Sequence, residues 1–113
     1  MELIEEGAAD VTIVAVTGRL DTQTSRQLSL RLDELLHAGQ AQLLIEASAL
    51  HYMSSAGCRA LLIAAKNATA AGGRLALCSM TPSVRRVVEV SGLDTAFETY
   101  MSREEALARL SGN

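Results

Sequence analysis

Two adjacent hydroxyls, Ser54 and Ser55, are the most concentrated potential chemistry in this chain. They sit in His51-Tyr52-Met53-Ser54-Ser55-Ala56-Gly57-Cys58-Arg59, after the apolar run Gln42-Leu43-Leu44-Ile45 and before a long helical pattern. The pair therefore falls where a strand hands over to a helix. A helix start leaves backbone N–H groups without partners; a small oxygen-bearing side chain satisfies them, and an anion is favoured beside them. The stretch could serve as a nucleophile, as a phosphate cradle, or as a hydroxyl that caps the helix or accepts a modification.

The first two uses lack their remaining parts. A hydrolase elbow needs a glycine two residues either side of its serine, with a histidine and an acid elsewhere. Ser55 has Gly57 after it but Met53 before it, and neither His37 nor His51 is placed as a base. Neither phosphate-binding pattern, GxxxxGK[ST] or GxGxxG, occurs, and Gly72-Gly73 follows a helix instead of opening one. No His, Cys or carboxylate set stands at ligand spacing, so no catalytic residue, metal or cofactor is expected. Glu5, Glu6, Glu104 and Glu105 read as solvated faces and helix-start charges. Two uses remain for the serine pair: capping, and reversible phosphorylation. A phosphate adds about 1.5 to 2 negative charges near neutral pH and changes what can dock beside it.

The elements that must position these serines follow from periodicity. Glu2 to Glu6 is weakly strand-like, and Gly7-Ala8-Ala9-Asp10 reads as a turn. Val11 to Val16 is β-branched and apolar on both alternating faces, which predicts a strand covered on both sides. A first helix is predicted from Thr22 or Thr24 to Ala38, capped by Asp21 or a following threonine and stopped at Gly39. Its core stripe is Leu28, Leu32, Leu35 and Leu36, with Leu30 on the opposite side.

Leu43 to Ile45 is a short buried strand. The second helix runs from about Ser55 to Ala71, with Cys58, Leu61, Leu62, Ala65 and Ala68 inward and Arg59, Ile63, Lys66 and Asn67 outward. Arg74 to Cys78 is a strand. Thr81-Pro82 opens a third helix that carries Val84, Val87, Val88 and Ser91 on one face and ends at Gly92. A last strand over Ala96 to Tyr100 and a final helix, opened by the box Ser102-Arg103-Glu104-Glu105, complete the chain, with Gly112-Asn113 as a frayed end. Alternating strands and helices imply a largely parallel sheet, and the short first connection permits one antiparallel pair. The expectation is one α/β domain over residues 1–113, with a mixed five-stranded sheet and about four helices.

Composition narrows the function classes. Aromatic residues are 3% of the 113, so the core must be built from Leu, Val, Ile and Ala. The net charge of −3 argues against a surface for nucleic acid or anionic lipid. No apolar run approaches the roughly 18 to 20 residues that span a bilayer, and the acidic start Met1-Glu2-Leu3-Ile4-Glu5-Glu6 is unlike a secretory signal. Cys58 and Cys78 make neither a disulfide framework nor a zinc set, and read as two buried thiols of a cytoplasmic protein.

Several motifs together resemble one family. These are Thr17-Gly18-Arg19-Leu20-Asp21, Tyr52 to Leu62, Gly72-Gly73-Arg74-Leu75-Ala76-Leu77-Cys78, Thr81-Pro82-Ser83-Val84 and Val90-Ser91-Gly92-Leu93. In order and spacing, from about Val11 to Tyr100, they are similar to the bacterial anti-sigma-factor antagonists of the STAS domain family. The resemblance implies a mixed sheet with packed helices and a partner-switching role. The unmodified protein would bind an anti-sigma factor that is also a serine kinase, which uses ATP to phosphorylate it and end the binding. A metal-dependent serine phosphatase would reverse this.

In the family motif Asp-Ser-Ser/Thr-Gly the first serine is the acceptor. Ser55 matches the acceptor and Gly57 the glycine, while Ser54 stands in place of the Asp and Ala56 in place of the second hydroxyl. Ser54 is therefore the secondary candidate acceptor. Asp21 matches an acidic position after the first long strand, which makes it a partner-contact candidate beside its reading as a helix cap. The expected docking surface is Tyr52, Met53, Ser54 and Gly57 around Ser55, with Arg59, Ile63 and Lys66 on the outward helix face. The rival reading is an unphosphorylated STAS scaffold subunit of a transport or sensory complex, favoured by the missing acid before Ser55.

Overall fold

The computed structural model describes residues 1–8 and 10–111. Ala9 of the predicted first turn and the predicted frayed end, Gly112-Asn113, lie outside them. In chain order the elements are β1 (Glu2–Ala8), β2 (Val11–Leu20), α1 (Thr22–His37), β3 (Gln42–Glu46), β4 (Leu50–Met53), α2 (Ser55–Ala70), β5 (Arg74–Cys78), α3 (Pro82–Val90), β6 (Glu98–Tyr100) and α4 (Arg103–Ser111). A single 3₁₀ turn, Leu93–Thr95, separates α3 from β6.

The mixed, mostly parallel sheet has the order β1-β2-β3-β5-β6, with β4 also pairing β2. β1 is antiparallel to β2, pairing Glu2 with Thr17, while β2, β3, β5 and β6 are parallel. β4 is a sixth strand where the sequence predicts only the approach to α2. It forms because β2, ten residues long, outruns β3, and its last residues need a second partner. β6 is shorter than predicted because the chain spends Leu93–Thr95 in the 3₁₀ turn and buries Phe97 before entering the sheet.

Strand alternation divides the core in two. Val14, Val16, Leu43, Ile45, Leu75 and Leu77 face α1, α2 and α3, whereas Val11, Ile13, Leu44, Ala76 and Cys78 face Ala106 and Leu110 of α4. This is why β2 and its neighbours are apolar on both faces. On α1, Leu28, Leu32 and Leu35 are buried and Leu36 partly so, while Leu30 is exposed. On α2, Ala60 and Ala64 are buried beside the predicted stripe, because α1 packs along that flank.

Two glycines end α2 in different ways. Gly72 adopts φ +87°, the left-handed region that favours glycine. Gly73 is held by space: a Cβ there would lie 2.1 Å from the Ala41 carbonyl oxygen. Both cysteines are free and buried. Burial pushes the Cys58 thiol up and the Cys78 thiol up to about 12, so neither supplies a thiolate near neutral pH.

Candidate functional site

The site is built where β2 and β4 end together. Arg19 pairs with Tyr52 and Leu20 with Met53, after a register shift between Gly18 and Arg19 that Gly18 permits at φ +88°. The Ser54 N–H then donates to the Leu20 carbonyl, 2.9 Å away. One residue beyond each strand a helix begins, so the starts of α1 and α2 are set side by side. The start of α3 joins them: the Thr81 hydroxyl donates to the Leu50 carbonyl at 3.3 Å. Three helix N-termini therefore converge on β4, and the partial positive charge at each favours anions there.

Asp21 caps α1. Its carboxylate accepts the backbone N–H groups of Gln23 (3.1 Å) and Thr24 (3.0 Å), and its own N–H donates to the Thr24 hydroxyl at 2.9 Å, closing a capping box. These bonds, the Thr24 N–H foremost and Arg19 last, hold its carboxyl below the usual range. Asp21 is half-buried at the edge of the site.

Ser54 and Ser55 divide the two uses left open above. Ser54 is the N-cap of α2, with extended backbone and an Oγ that accepts the Gly57 N–H at 3.2 Å. Ser55 is the first helical residue, exposed, and its hydroxyl has no hydrogen-bond partner among the described residues. Met53 and Gly57 do not reach the surface. Met53 is 2% exposed and lies under the helix with its sulfur 3.3 Å from the Cys58 Sγ. Gly57 is buried so tightly that a Cβ would stand 2.9 Å from the Leu20 Cγ and 3.0 Å from the Leu20 oxygen. These two residues position the serines from beneath.

Tyr52, Arg59, Ile63 and Lys66 are exposed, Ile63 at 52%. Tyr52 carries the Arg19 guanidinium over its ring, 4.1 Å from the centroid, a cross-strand cation–π contact that sequence patterning did not reveal. Arg59 and Ile63 form a ridge between two shallow grooves. One groove, toward α3, is shared with Ser55, Leu62 and Leu93; the other, toward α1, is shared with Arg26 and Ala56. Both histidines are exposed, and the His37 Nδ1 lies 2.8 Å from the Asp33 carbonyl at the far end of α1. Among the described residues no three His, Cys, Asp or Glu side chains converge as a metal set, and no helix is long and apolar enough to cross a membrane.

A buried acid nearby also escaped the sequence reading. Glu46 ends β3 at 7% exposure and accepts from the Ser48 N–H (3.1 Å), the Cys78 thiol (3.3 Å) and the Ser79 hydroxyl (3.3 Å). Arg103 stands 3.5 Å from it and also pairs with Glu6 at 3.0 Å, tying the start of α4 to the sheet. Burial pushes the Glu46 carboxyl up, but the bonds from Ser48 and Cys78 and the Arg103 charge outweigh it and hold it below its usual value. The available signal was an acid directly after the run Leu43-Leu44-Ile45.

Comparison with known proteins places this architecture. The STAS domain matches residues 3–106. BtrV of Bordetella bronchiseptica, a candidate anti-sigma factor antagonist, is 32% identical over 108 residues, covering 96% of this chain and 93% of that protein. An anti-sigma F factor antagonist of Paenibacillus polymyxa is 31% identical over 101 residues, covering 88% and 86%. Among solved structures, the anti-sigma factor antagonist SpoIIAA in its unphosphorylated form superposes with a TM-score of 0.84 at 24% identity, covering 99% of this chain and 98% of that one. The Bacillus SpoIIAA in its phosphorylated form gives 0.73 at 23% identity, covering 96% and 98%. The topology and the match along nearly the whole chain agree: this chain belongs to the STAS domain family.

Proposed function

We propose that this protein is a cytoplasmic, non-enzymatic anti-sigma-factor antagonist that regulates transcription by partner switching. Unmodified, it binds an anti-sigma factor with serine kinase activity and so frees the sigma factor. The docking surface is Tyr52 and Ser55 with the ridge of Arg59, Ile63 and Lys66, rimmed by Asp21 and Ser54; Met53 and Gly57 support it from below. An exposed apolar anchor with a polar rim suits such an interface.

The kinase ends the binding by phosphorylating Ser55. The Ser55 Oγ bonds to the γ-phosphorus of ATP, the bond from that phosphorus to the bridging oxygen breaks, and ADP leaves with the electron pair. The hydroxyl proton passes to a base of the kinase. A metal-dependent serine phosphatase restores the hydroxyl.

The observation that carries this reading is the division between the serines. The Ser55 hydroxyl is exposed and uncommitted, while the Ser54 Oγ is engaged with the Gly57 N–H. The names of the relatives and the existence of a phosphorylated form of SpoIIAA support it. Pull-down and titration against the cognate kinase test it. Ser55→Asp is expected to bind at least about tenfold more weakly than wild type, and binding of equal strength overturns the switch.

A second reading, an unphosphorylated scaffold subunit of a transport or sensory complex, draws on Ser54 standing where the family has an acid. Intact mass after incubation with the kinase and ATP separates the two. One phosphate on wild type and on Ser54→Ala, and none on Ser55→Ala, supports the switch; an unmodified wild type supports the scaffold.

A further inference from the structure

We propose that Arg59 is a built-in clasp for a phosphate on Ser55, so that modification withdraws from the docking ridge a cation that the unmodified protein presents. This deepens the phosphoswitch reading and rests on it. Residues four apart on a helix face each other, and an anion on the N-terminal side of a cation is the favourable order. Ser55 and Arg59 have that spacing and order, both are exposed, and both line the groove toward α3.

Arg59 is also left free for the purpose. Its helical neighbours three and four residues away are Ser55, Ala56, Leu62 and Ile63, so only Ser55 can acquire a charge. Among the described residues Arg59 makes no ion pair, whereas Arg31, Arg74 and Arg103 are each paired with glutamates. Asp21, the acid that caps α1, is engaged with the backbone of that helix.

A phosphoserine presents a dianion with three strong acceptor oxygens, which a guanidinium meets with paired, charge-assisted hydrogen bonds. Phosphorylation then acts twice on the surface: it adds bulk and negative charge at Ser55, and it draws Arg59 off the ridge it shares with Ile63. The device is specific to position, since the residue four beyond Ser54 is Cys58, which is buried and uncharged at neutral pH.

The test installs phosphoserine at residue 55 during translation and follows its second ionisation by ³¹P NMR in otherwise wild-type protein, in Arg59→Gln and in Arg59→Lys. With Arg59 present the ionisation is expected about 0.5 pH unit lower than in Arg59→Gln, a roughly threefold difference in proton affinity. Arg59→Lys retains part of the difference, and about 1 M salt shrinks it. Phosphoserine at residue 54 is expected to titrate alike with and without Arg59. Superimposable titrations of phospho-Ser55 in wild type and Arg59→Gln overturn the clasp. No kinase is used, so the two readings fail separately. A kinase that leaves Ser55 unmodified defeats the switch, while coincident titrations in a protein the kinase does modify defeat the clasp alone.

Discussion

Replacing Gly57 with alanine tests the packing on which the site depends. The new Cβ would lie 2.9 Å from the Leu20 Cγ, 3.0 Å from the Leu20 oxygen and 3.0 Å from the Met53 Cγ. Carbon atoms in contact prefer about 3.5 to 4.0 Å, so the first turn of α2 must move by roughly half an ångström or more. Leu20 and Met53 are 1% and 2% exposed, so neither can yield by turning out into solvent without losing its burial. The Leu20 carbonyl is further fixed by the Ser54 N–H at 2.9 Å.

Two effects oppose each other. Alanine is a better helix former than glycine by about 0.8 to 1 kcal/mol in a helix interior, and by less in the first turn. Overpacking a filled site costs about 1 to 3 kcal/mol, and loss of the Ser54–Gly57 cap as the helix shifts costs about 1 kcal/mol more. The packing terms win, and Gly57→Ala is expected to be less stable by about 1 to 3 kcal/mol. In a domain of this size that lowers the melting temperature by roughly 5 to 15 °C. Urea unfolding followed by circular dichroism gives the free energy, and a thermal scan gives the shift. Stability equal to or above wild type refutes the reasoning, because it means that the helix approach is not set by this contact.

Gly73→Ala places a Cβ 2.1 Å from the Ala41 oxygen, which also accepts the Arg74 N–H at 3.0 Å. Backbone blocks backbone here, so the loss is expected to reach about 3 kcal/mol or more, read as the fall in the urea midpoint. For pH, the folded Glu46 carboxyl is held below its ordinary value of 4.5. A carboxyl depressed in the folded state stabilises the fold above its unfolded pKa, and that stabilisation is lost as pH falls through the folded pKa. Glu5 and Glu98, held low by Arg31 and Arg74, act in the same sense. Urea midpoints are therefore expected to fall below about pH 4.5, and to fall less steeply in Glu46→Gln; parallel slopes would remove Glu46 from the account.

The elements were legible where one periodicity or one cap decided them. Leu28, Leu32 and Leu35 at helical spacing, Asp21 and Thr24 as a cap, and Thr81-Pro82 as a helix start each act locally, so the residues themselves carry the signal. β4 was not legible because Leu50-His51-Tyr52-Met53 is a strand only by virtue of the unpaired end of β2, a tertiary demand. Glu46 was missed for a related reason. Its burial is met by Ser48, by the adjacent Cys78 and Ser79, and by Arg103, drawn from three places in the chain. At the site, the two-residue hydroxyl motif was visible, but which serine was committed depended on where the helix begins. Met53 and Gly57 could not be told from surface residues by type, because their burial follows from the pairing of β2 with β4.

The departure from the family motif gains a physical meaning from this geometry. An acid before the acceptor would cap α2 as well as Ser54 does, since aspartate and serine are comparable N-caps. It would also hold a negative charge one residue from any phosphate on Ser55, and like charges so close raise the cost of ionising that phosphate. With Ser54 the cap is kept and the neighbouring charge is gone, while Arg59 lies one helical turn away with no ion pair among the described residues. On the proposed switch the two features would work in the same direction: both would lower the cost of a phosphate on Ser55. Serine in place of the acid would therefore alter how such a phosphate is held without removing the hydroxyl proposed to receive it.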